Sequence, residues 1–294
     1  MSTSIFQSAP GALVISIINN KGGVGKTTST CILAQLLAYL GKRVLVIDMD
    51  PQCNASVMLG EFVEESEDII RSLCPPIRLH IADLFTHRFR TENEMHSIIV
   101  STKISGIDII PGGKRHDNTV TNLLLNQTGN NSIILKKALA SIKKEYDFII
   151  LDNGPAKDIL SVNSLFASDI VYVPVRVESF SHMGLRETLD SILYIKDEYD
   201  IDTISFGGAF ITQAESNTTA FRESVEEYTK SLGGKFFQTA IRKDTKIGEI
   251  EKSFRPILEY CPNTNAVFDY SRLLLEMQIL DDAAAKKLQI SISA

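Results

Sequence analysis

Three glycines, a lysine and a threonine lie close together near the start of the chain, in the stretch 20–28, which reads Asn-Lys-Gly-Gly-Val-Gly-Lys-Thr-Thr. The phosphate-loop pattern Gly-x-x-x-x-Gly-Lys-Ser/Thr is met only loosely, because Asn20 stands at the place of its first glycine. Glycines let backbone N–H groups converge on phosphate oxygens without interference from Cβ atoms. Lys26 would add a cation for the β- and γ-phosphates and Thr27 a hydroxyl for Mg²⁺. A structural glycine turn needs neither side chain, so the stretch predicts a nucleotide site.

The neighbouring elements place this loop at the edge of a parallel sheet. Residues 13–18 form an apolar, β-branched run typical of a buried central strand, and they lead directly into the loop. Residues 28–40 predict a helix capped by Gly41, and residues 43–48 predict the next buried strand, which completes a βαβ unit. The remaining predicted strands are 104–111, 146–152, 204–212 and 236–241, with a helix over 132–144.

We therefore predict an α/β fold with a doubly wound, mostly parallel sheet and helices on both faces. The 294 residues, 44% of them hydrophobic, are enough for one large domain with a substantial core. We expect a single domain over 1–294. It has a short N-terminal extension (1–12), a peripheral helical insert (61–101) and a C-terminal helix and tail (265–294).

Composition limits the cellular compartments in which the protein is expected and the kinds of partner that it can bind. The four cysteines are scattered without a Cys-x-x-Cys pair, so neither a disulfide framework nor a zinc or iron–sulfur site is indicated. Residues 1–10 lack the features of a signal peptide, and no apolar run approaches the length of a membrane span. We expect a cytoplasmic protein. Its net charge of −6 means that any nucleic-acid contact must come from a local basic patch.

The stretch 21–28 resembles the deviant Walker A box of the ParA/MinD-type ATPases, a branch of the P-loop NTPases of SIMIBI type. In that family the early lysine, here Lys21, reaches across an ATP-sandwiched dimer to the phosphates of the partner, as an arginine finger does in trans. The resemblance makes Lys21 and Lys26 catalytic. It assigns phosphate binding to Gly22, Gly23, Val24, Gly25, Lys26, Thr27 and Thr28.

Residues 48–56 resemble the family's switch I motif Asp-x-Asp-Pro-Gln-Gly-Asn, with Cys53 in the place of the glycine. The resemblance implies that Asp50 positions or activates the attacking water. It also implies that Asp48 supports the Mg²⁺ shell through water. The strand ending at Asp152 resembles a Walker B strand, whose acid orders Mg²⁺ through water. Thr27, Asp48 and Asp152 are thus the expected metal-site residues.

Further stretches follow from the resemblance, which also implies a strand over 168–175 and a helix over 184–199. Residues 153–155, Asn-Gly-Pro, occupy the switch II position, where the family usually has Asp-x-Pro-Pro, and Gly154 is expected to add flexibility. The family's adenine pocket comes from the ends of the strands 204–212 and 236–241, which implies contacts from Gln213 and Ile241. DNA-contacting residues are expected nearby, together with one on an earlier helix: Lys243, Lys246, Lys252, Arg255 and Arg186. The alternative for these cations is an ordinary solvated face.

The function implied is a partition ATPase with ATP and Mg²⁺ as cofactors. It would form an ATP-dependent homodimer, bind DNA non-specifically and hydrolyse ATP when a centromere-binding, ParB-like adaptor stimulates it, with a plasmid or chromosome as cargo. Cytoplasmic, nucleoid-associated localisation without a membrane partner is expected. The twelve residues before the first strand are too few for a helix-turn-helix domain, so operator-specific repression is not expected.

Other classes within the family require sequence features of their own. A MinD-like membrane-cycling ATPase needs a basic amphipathic C-terminal helix, whereas the stretch 280–288 is short, alanine-rich and contains two acids. An iron-protein-type reductase or cluster scaffold needs paired cysteines. Two alternatives stay open, which are a MinD-like membrane-cycling ATPase and a related ATPase that positions a cargo other than DNA.

Overall fold

The computed structural model describes residues 11–59, 79–87, 91–113, 131–156, 158–177, 181–199, 202–253 and 257–293. Within these ranges the chain forms one seven-stranded sheet in the order β3-β4-β2-β5-β1-β6-β7. Neighbouring strands are parallel, except that β3 runs antiparallel to β4. This confirms the predicted mostly parallel sheet. The strands are β1 (Leu13–Ile17), β2 (Val44–Asp48), β3 (Val100–Ser101), β4 (Ile107–Ile110), β5 (Phe148–Asp152), β6 (Ile170–Val175) and β7 (Ser205–Ile211).

The helices of the described residues follow the strands along the chain and cover both faces of the sheet. Short 3₁₀ turns lie at Asn131–Ile133 and Gly233–Lys235. The α-helices are α1 (Lys26–Tyr39), α2 (Asn54–Met58), α3 (Ile81–His87), α4 (Glu92–His96), α5 (Ile134–Leu139), α6 (Ile159–Ala167), α7 (Ser181–Tyr199), α8 (Thr219–Leu232), α9 (Thr245–Ser253), α10 (Ile257–Tyr260), α11 (Asn265–Glu276) and α12 (Asp282–Ser293).

The alternation of side chains along the central strands divides the core between the two faces. Ile15 and Ile17 of β1 pack with α1 and with the C-terminal helices α10 to α12, whereas Val14 packs with α3 to α6. A third apolar cluster joins β6 and β7 to α7 and α8. Strands covered on both faces need nearly continuous apolar sequence, which is why β1, β2 and β5 could be predicted.

The end of α1 also agrees with the sequence. The helix closes at Leu40, the N–H of Gly41 bonds to the carbonyl of Ala38 at 2.9 Å, and the N–H of Lys42 bonds to that of Leu37 at 3.1 Å. These two bonds satisfy carbonyls that a helix end leaves without partners. Gly41 is therefore the C-terminal cap that was predicted.

The predicted strand over 236–241 is wrong. Of residues 236–241, Phe236 alone forms a β-bridge, an isolated one with Ala209 of β7. The N–H groups of Gln238 and Thr239 bond at 2.6 Å and 2.9 Å to the carboxylate of Glu276 in α11 rather than to a neighbouring strand. A side chain that takes two successive N–H groups prevents a regular ladder, although the apolar pattern suits a strand.

The stretch predicted as a peripheral helical insert, 61–101, lies partly outside the described residues. Its described part contains α3, α4 and the edge strand β3. Side chains of this part, among them Leu84, Phe85 and Met95, are buried in the core on one face of the sheet. Across the described ranges, every helix is too short or too polar to pass through a lipid bilayer.

Candidate nucleotide-binding site

The loop between β1 and α1 has the backbone conformation that its glycines allow. Gly23 and Gly25 adopt left-handed φ values of 71° and 80°, which residues with a Cβ rarely take. Gly25 is also the N-cap of α1, so the first N–H groups of that helix open onto the loop. A helix N-terminus with unpaired N–H groups and a positive dipole end favours a bound anion.

Lys26 is the first residue of α1 and is 6% exposed. Its Nζ donates a 3.0 Å hydrogen bond to the backbone carbonyl of Lys21, so the two lysines share one turn. Burial lowers the pKa of Lys26, whereas the carboxylates of Asp152 and Asp50 oppose this shift. The ammonium thus lies in a partly desolvated site, where its attraction to phosphate is stronger than in water.

Asp152, at the end of β5, is held by two hydroxyls of α1. Thr27 Oγ1 donates to Oδ2 at 2.8 Å, and Thr30 Oγ1 donates to Oδ1 at 3.3 Å. Burial, and after it the charge of Asp48, raises the pKa of Asp152 well above its ordinary value, although the Thr27 hydroxyl opposes the shift. The sheet register explains why the acids are close, because Asp48 of β2 is paired with Asp152 of β5.

Asp48 is fully buried and accepts hydrogen bonds from Asp50 and from Ser56, whose role no sequence pattern indicates. The backbone N–H and the hydroxyl of Ser56 donate to Oδ2 at 2.8 Å and 2.6 Å, and the N–H of Asp50 donates to Oδ1 at 3.2 Å. Ser56 Oγ in turn accepts the N–H of Gly112 at 2.9 Å. Burial raises the pKa of Asp48 to about 7, although the Ser56 bonds favour the ionised form.

These side chains form a donor set suited to Mg²⁺. A hydroxyl from Thr27 and carboxylates from Asp48 and Asp152 are hard oxygen ligands, which Mg²⁺ prefers, and no sulfur or imidazole stands among them. Two buried carboxylates side by side are costly when both are ionised, and a divalent cation offsets that cost. The residues therefore fit the metal that the sequence predicts.

The turn after β2 carries Cys53 at the place where the resemblance expects glycine. Cys53 adopts a left-handed conformation with φ 57° and is buried. Beside it, Asp50 Oδ1 accepts the N–H of Gln52 at 2.9 Å. A Cβ added at Gly154 would lie 3.5 Å from Asp50 Oδ1, which shows how closely the predicted switch II approaches this carboxylate.

A cavity of about 260 Å³ adjoins the phosphate loop. Gln213 and Ile241, the two residues predicted to contact adenine, both lie on its wall. Gln213 has φ 52°, and its Nε2 donates to the carbonyl of Gly23 at 3.1 Å. Thr212 Oγ1 donates to the carbonyl of Val24 at 2.8 Å. The residues that follow β7 thus bind the backbone of the glycine-rich loop. The only sequence feature that indicates this role for Thr212 is its place at the end of a predicted strand.

Arg242 follows Ile241 on the same wall, where the family has proline. Its guanidinium binds both carboxylate oxygens of Asp269 in α11, at 2.9 Å and 2.7 Å, and its N–H also donates to Asp269 at 2.9 Å. A bidentate pair of this kind is geometrically specific. Arg242 and Asp269 therefore fix the cavity wall to α11, a contact that local sequence does not indicate.

The cations predicted to bind DNA are accompanied by acids where the structure describes them. Lys243 Nζ is 2.8 Å from Glu215, Lys246 Nζ is 2.7 Å from Glu249, and Arg186 Nε is 4.0 Å from Asp190. Lys243 also lines the 260 Å³ cavity, so it lies beside the candidate nucleotide site. Lys252 lies in α9, and Arg255 lies outside the described residues.

Comparisons with known proteins agree with this geometry. The family model AAA_31, an AAA domain, matches residues 12–204. The sporulation initiation inhibitor protein Soj of Bacillus subtilis is 31% identical over 264 residues, which cover 90% of this chain and 97% of Soj.

Two solved structures show the same fold. An ATP complex of a McdA variant from Cyanothece has a TM-score of 0.76 at 19% identity and covers 93% of this chain and 99% of that chain. A protein of Borrelia burgdorferi B31 assigned to plasmid partition, bound to AMPPNP, has a TM-score of 0.71 at 22% identity, with coverage of 90% and 98%.

Proposed function

Because this chain belongs to the AAA domain family AAA_31 and to its ParA/MinD-type P-loop ATPases, we propose that it is an ATP-switched partition ATPase. The observation that carries the proposal is the hydrogen bond from Lys26 Nζ to the carbonyl of Lys21. This bond joins Lys26, proposed to bind the chain's own nucleotide, to Lys21, the lysine typical of the family. ATP binding and dimerisation would therefore share one structural element.

In this proposal the phosphate loop binds the triphosphate of ATP. The N–H groups after Gly22 and the first N–H groups of α1 surround the phosphates, and Lys26 neutralises their charge. Mg²⁺ would be held by Thr27, Asp48 and Asp152, and it would supply further neutralisation of the triphosphate charge. Gln213 and Ile241 would contact the base from the adjoining cavity.

Asp50 is proposed to orient the attacking water. Its carboxylate is anchored by the N–H of Gln52 and lies beside Gly154, at the junction of the two switch segments. A group fixed in this way acts mainly in the transition state, so it contributes to turnover more than to ATP affinity.

Lys21 is proposed to act on the partner's nucleotide in a face-to-face dimer. Its backbone is held at both ends, since its N–H donates to Asn19 Oδ1 at 2.9 Å and its carbonyl accepts Lys26 Nζ. The ammonium can then add positive charge to the phosphates across the dimer, where charge develops during hydrolysis. Hydrolysis would thus depend on dimerisation, and a ParB-like adaptor would accelerate it.

The cargo is proposed to be a plasmid or chromosome, with the ATP dimer held on non-specific DNA and the protein therefore cytoplasmic and nucleoid-associated. A second candidate, an ATPase that positions a cargo other than DNA, is favoured by one observation. Lys243 and Lys246 are each paired with a glutamate, and the chain carries a net charge of −6. Exposed pairs are weak and exchange partners readily, so phosphate can compete for both lysines.

One experiment distinguishes the two candidate functions. Fluorescence anisotropy of a labelled duplex of arbitrary sequence would be measured with ATP and Mg²⁺, with ADP, and without nucleotide, alongside the protein's mass by light scattering. Binding that needs ATP and weakens with salt supports the DNA-bound partition ATPase. A dimer that forms with ATP but leaves DNA unbound supports the second candidate. If ATP forms no dimer, both candidates fail.

A further inference from the structure

The first turns of α7 contact the beginning of the phosphate loop. Gly184 of α7 is buried, and a Cβ added to it would lie 2.3 Å from Asn19 Oδ1 and 3.4 Å from the Cβ of Lys21. A separation of 2.3 Å is shorter than any van der Waals contact, so only glycine fits here without a shift of the loop. The contact joins residues 165 positions apart in the sequence.

Asn19 connects β6 to Lys21. The side chain is 1% exposed, and its Nδ2 donates to the carbonyl of Pro174 in β6 at 2.8 Å. Its Oδ1 accepts the N–H of Lys21 at 2.9 Å, an Asx turn that sets the direction in which the chain leaves β1. A buried carboxamide with both ends bonded has one orientation, because rotation would leave buried polar atoms without partners.

The next residues of α7 add to the same contact. Asn20 Nδ2 donates to Glu187 Oε2 at 3.3 Å, whereas Thr188 Oγ1 bonds within α7, to the carbonyl of Gly184 at 2.9 Å. Residues 19–21 therefore lie against the first two turns of α7. The rest of the loop is held by β7, through the bonds of Gln213 and Thr212 to the carbonyls of Gly23 and Val24.

We propose that Asn19 and Gly184 are positioning residues for Lys21, which fix the Lys21 backbone against α7 so that its side chain reaches the partner's nucleotide. This inference rests on the trans role of Lys21 in the proposed function. Since β7 holds the phosphate-binding part of the loop separately, a disturbance at Gly184 or Asn19 affects dimerisation and stimulated turnover more than ATP affinity. Neither residue touches the reacting atoms.

The first test is Gly184→Ala, with Gly234→Ala as the matched control. Gly234 has open space at its Cβ position and lies in an exposed 3₁₀ turn. Alanine raises helix propensity, so any loss in Gly184→Ala comes from the contact with Asn19 and not from α7 itself. We expect Gly184→Ala to weaken ATP-dependent dimerisation by about tenfold or more, whereas its affinity for a fluorescent ATP analogue stays within about twofold of wild type.

A second pair of variants avoids dependence on one overpacked position. Asn19→Ala removes the acceptor for the Lys21 N–H, whereas Asn19→Ser keeps an oxygen that can accept it in an ST turn. We expect Asn19→Ser to retain more dimerisation and more stimulated hydrolysis than Asn19→Ala. If Asn19 had a merely structural role, dimerisation and stimulated hydrolysis would fall in both variants in proportion to the fall in their melting temperatures.

Lys21→Ala, measured in parallel, separates the positioning role from the proposed function. If Lys21→Ala fails to dimerise but Gly184→Ala and Asn19→Ala dimerise as the wild type does, the positioning role is overturned and the proposed function stands. If Lys21→Ala itself dimerises normally, the trans role is lost and the positioning role with it. Equal losses of ATP affinity and dimerisation in Gly184→Ala and Asn19→Ala would also contradict the inference.

Discussion

The hydroxyl of Thr27 donates a 2.8 Å hydrogen bond to Oδ2 of Asp152, which joins the first turn of α1 to the end of β5 across 125 residues of sequence. Thr30, one turn further along α1, bonds to the other carboxylate oxygen. The acid at the end of β5 is thus oriented by α1, the helix that follows the glycine-rich loop. A metal ion bound between Thr27 and Asp152 would enter an arrangement that is already built, which reduces the cost of organising the site.

Lys26→Ala should abolish tight binding of Mg-ATP, because the β- and γ-phosphates lose the cation of their own loop. We expect the dissociation constant of a fluorescent ATP analogue to rise about a hundredfold or more, the range for a charge-assisted hydrogen bond. Lys136→Ala, at an exposed position of α5, is the control. If Lys26→Ala bound the ATP analogue with unchanged affinity, residues 21–28 would not be the phosphate-binding site.

Asp50→Ala should keep ATP binding but stall turnover and so prolong the dimer, since a water-positioning carboxylate acts mainly in the transition state. A loss of 10²- to 10⁴-fold in phosphate release, roughly the contribution of a general base, is expected. Single-turnover phosphate release and dimer lifetime by light scattering measure the two effects. Wild-type turnover in this variant would show that Asp50 has no such role.

The raised pKa of Asp48 makes a prediction for the nucleotide-free protein. Its folded pKa of about 7 lies above the ordinary value of 3.8, so between these values the folded state binds more protons than the unfolded state. The free energy of unfolding therefore falls as pH rises through this window. Melting temperatures from pH 4 to 8 should decline more steeply for the wild type than for Asp48→Asn, which cannot titrate there. Parallel curves would show that Asp48 is ionised in the folded protein.

Lys246 provides the cleanest test of DNA contact, because Lys243 also lines the nucleotide cavity. Each lost phosphate contact lowers the log–log salt slope by about 0.9, so Lys246→Glu, present twice in a dimer, should lower it by roughly 2. Glu249→Gln removes the acid paired with Lys246 and should strengthen DNA binding. An unchanged slope in Lys246→Glu, with ATP binding intact, would favour the solvated face and a cargo other than DNA.

Local sequence was enough to predict the parts of the site that lie at strand ends. The apolar runs of β1, β2 and β5 and the acids that end two of them follow from burial on both faces and from parallel pairing. Lys26 and Thr27 were predicted from the glycine-rich pattern, and the metal roles of Asp48 and Asp152 from the family resemblance. The register of β2 with β5 places these two acids side by side.

Contacts between distant segments could not be predicted, because no periodicity or spacing encodes them. Three such contacts depend on how two elements pack. They join Ser56 to Asp48, Asp269 to Arg242, and Gly184 to Asn19. The error over 236–241 has the same origin, since Glu276 of α11 takes the N–H groups that a strand would have used. Such polar side chains do not change a hydrophobic pattern, so pattern alone cannot reveal them.

The central claim is that Lys21 links ATP binding to dimerisation, and the mass of the protein in solution tests it most directly. Light scattering with saturating ATP and Mg²⁺ should give twice the monomer mass for the wild type. Lys21→Ala, at ATP concentrations where binding is verified, should stay at the monomer mass and resist stimulation by the adaptor. A Lys21→Ala protein that forms a normal ATP-dependent dimer with normal stimulated hydrolysis would contradict the account.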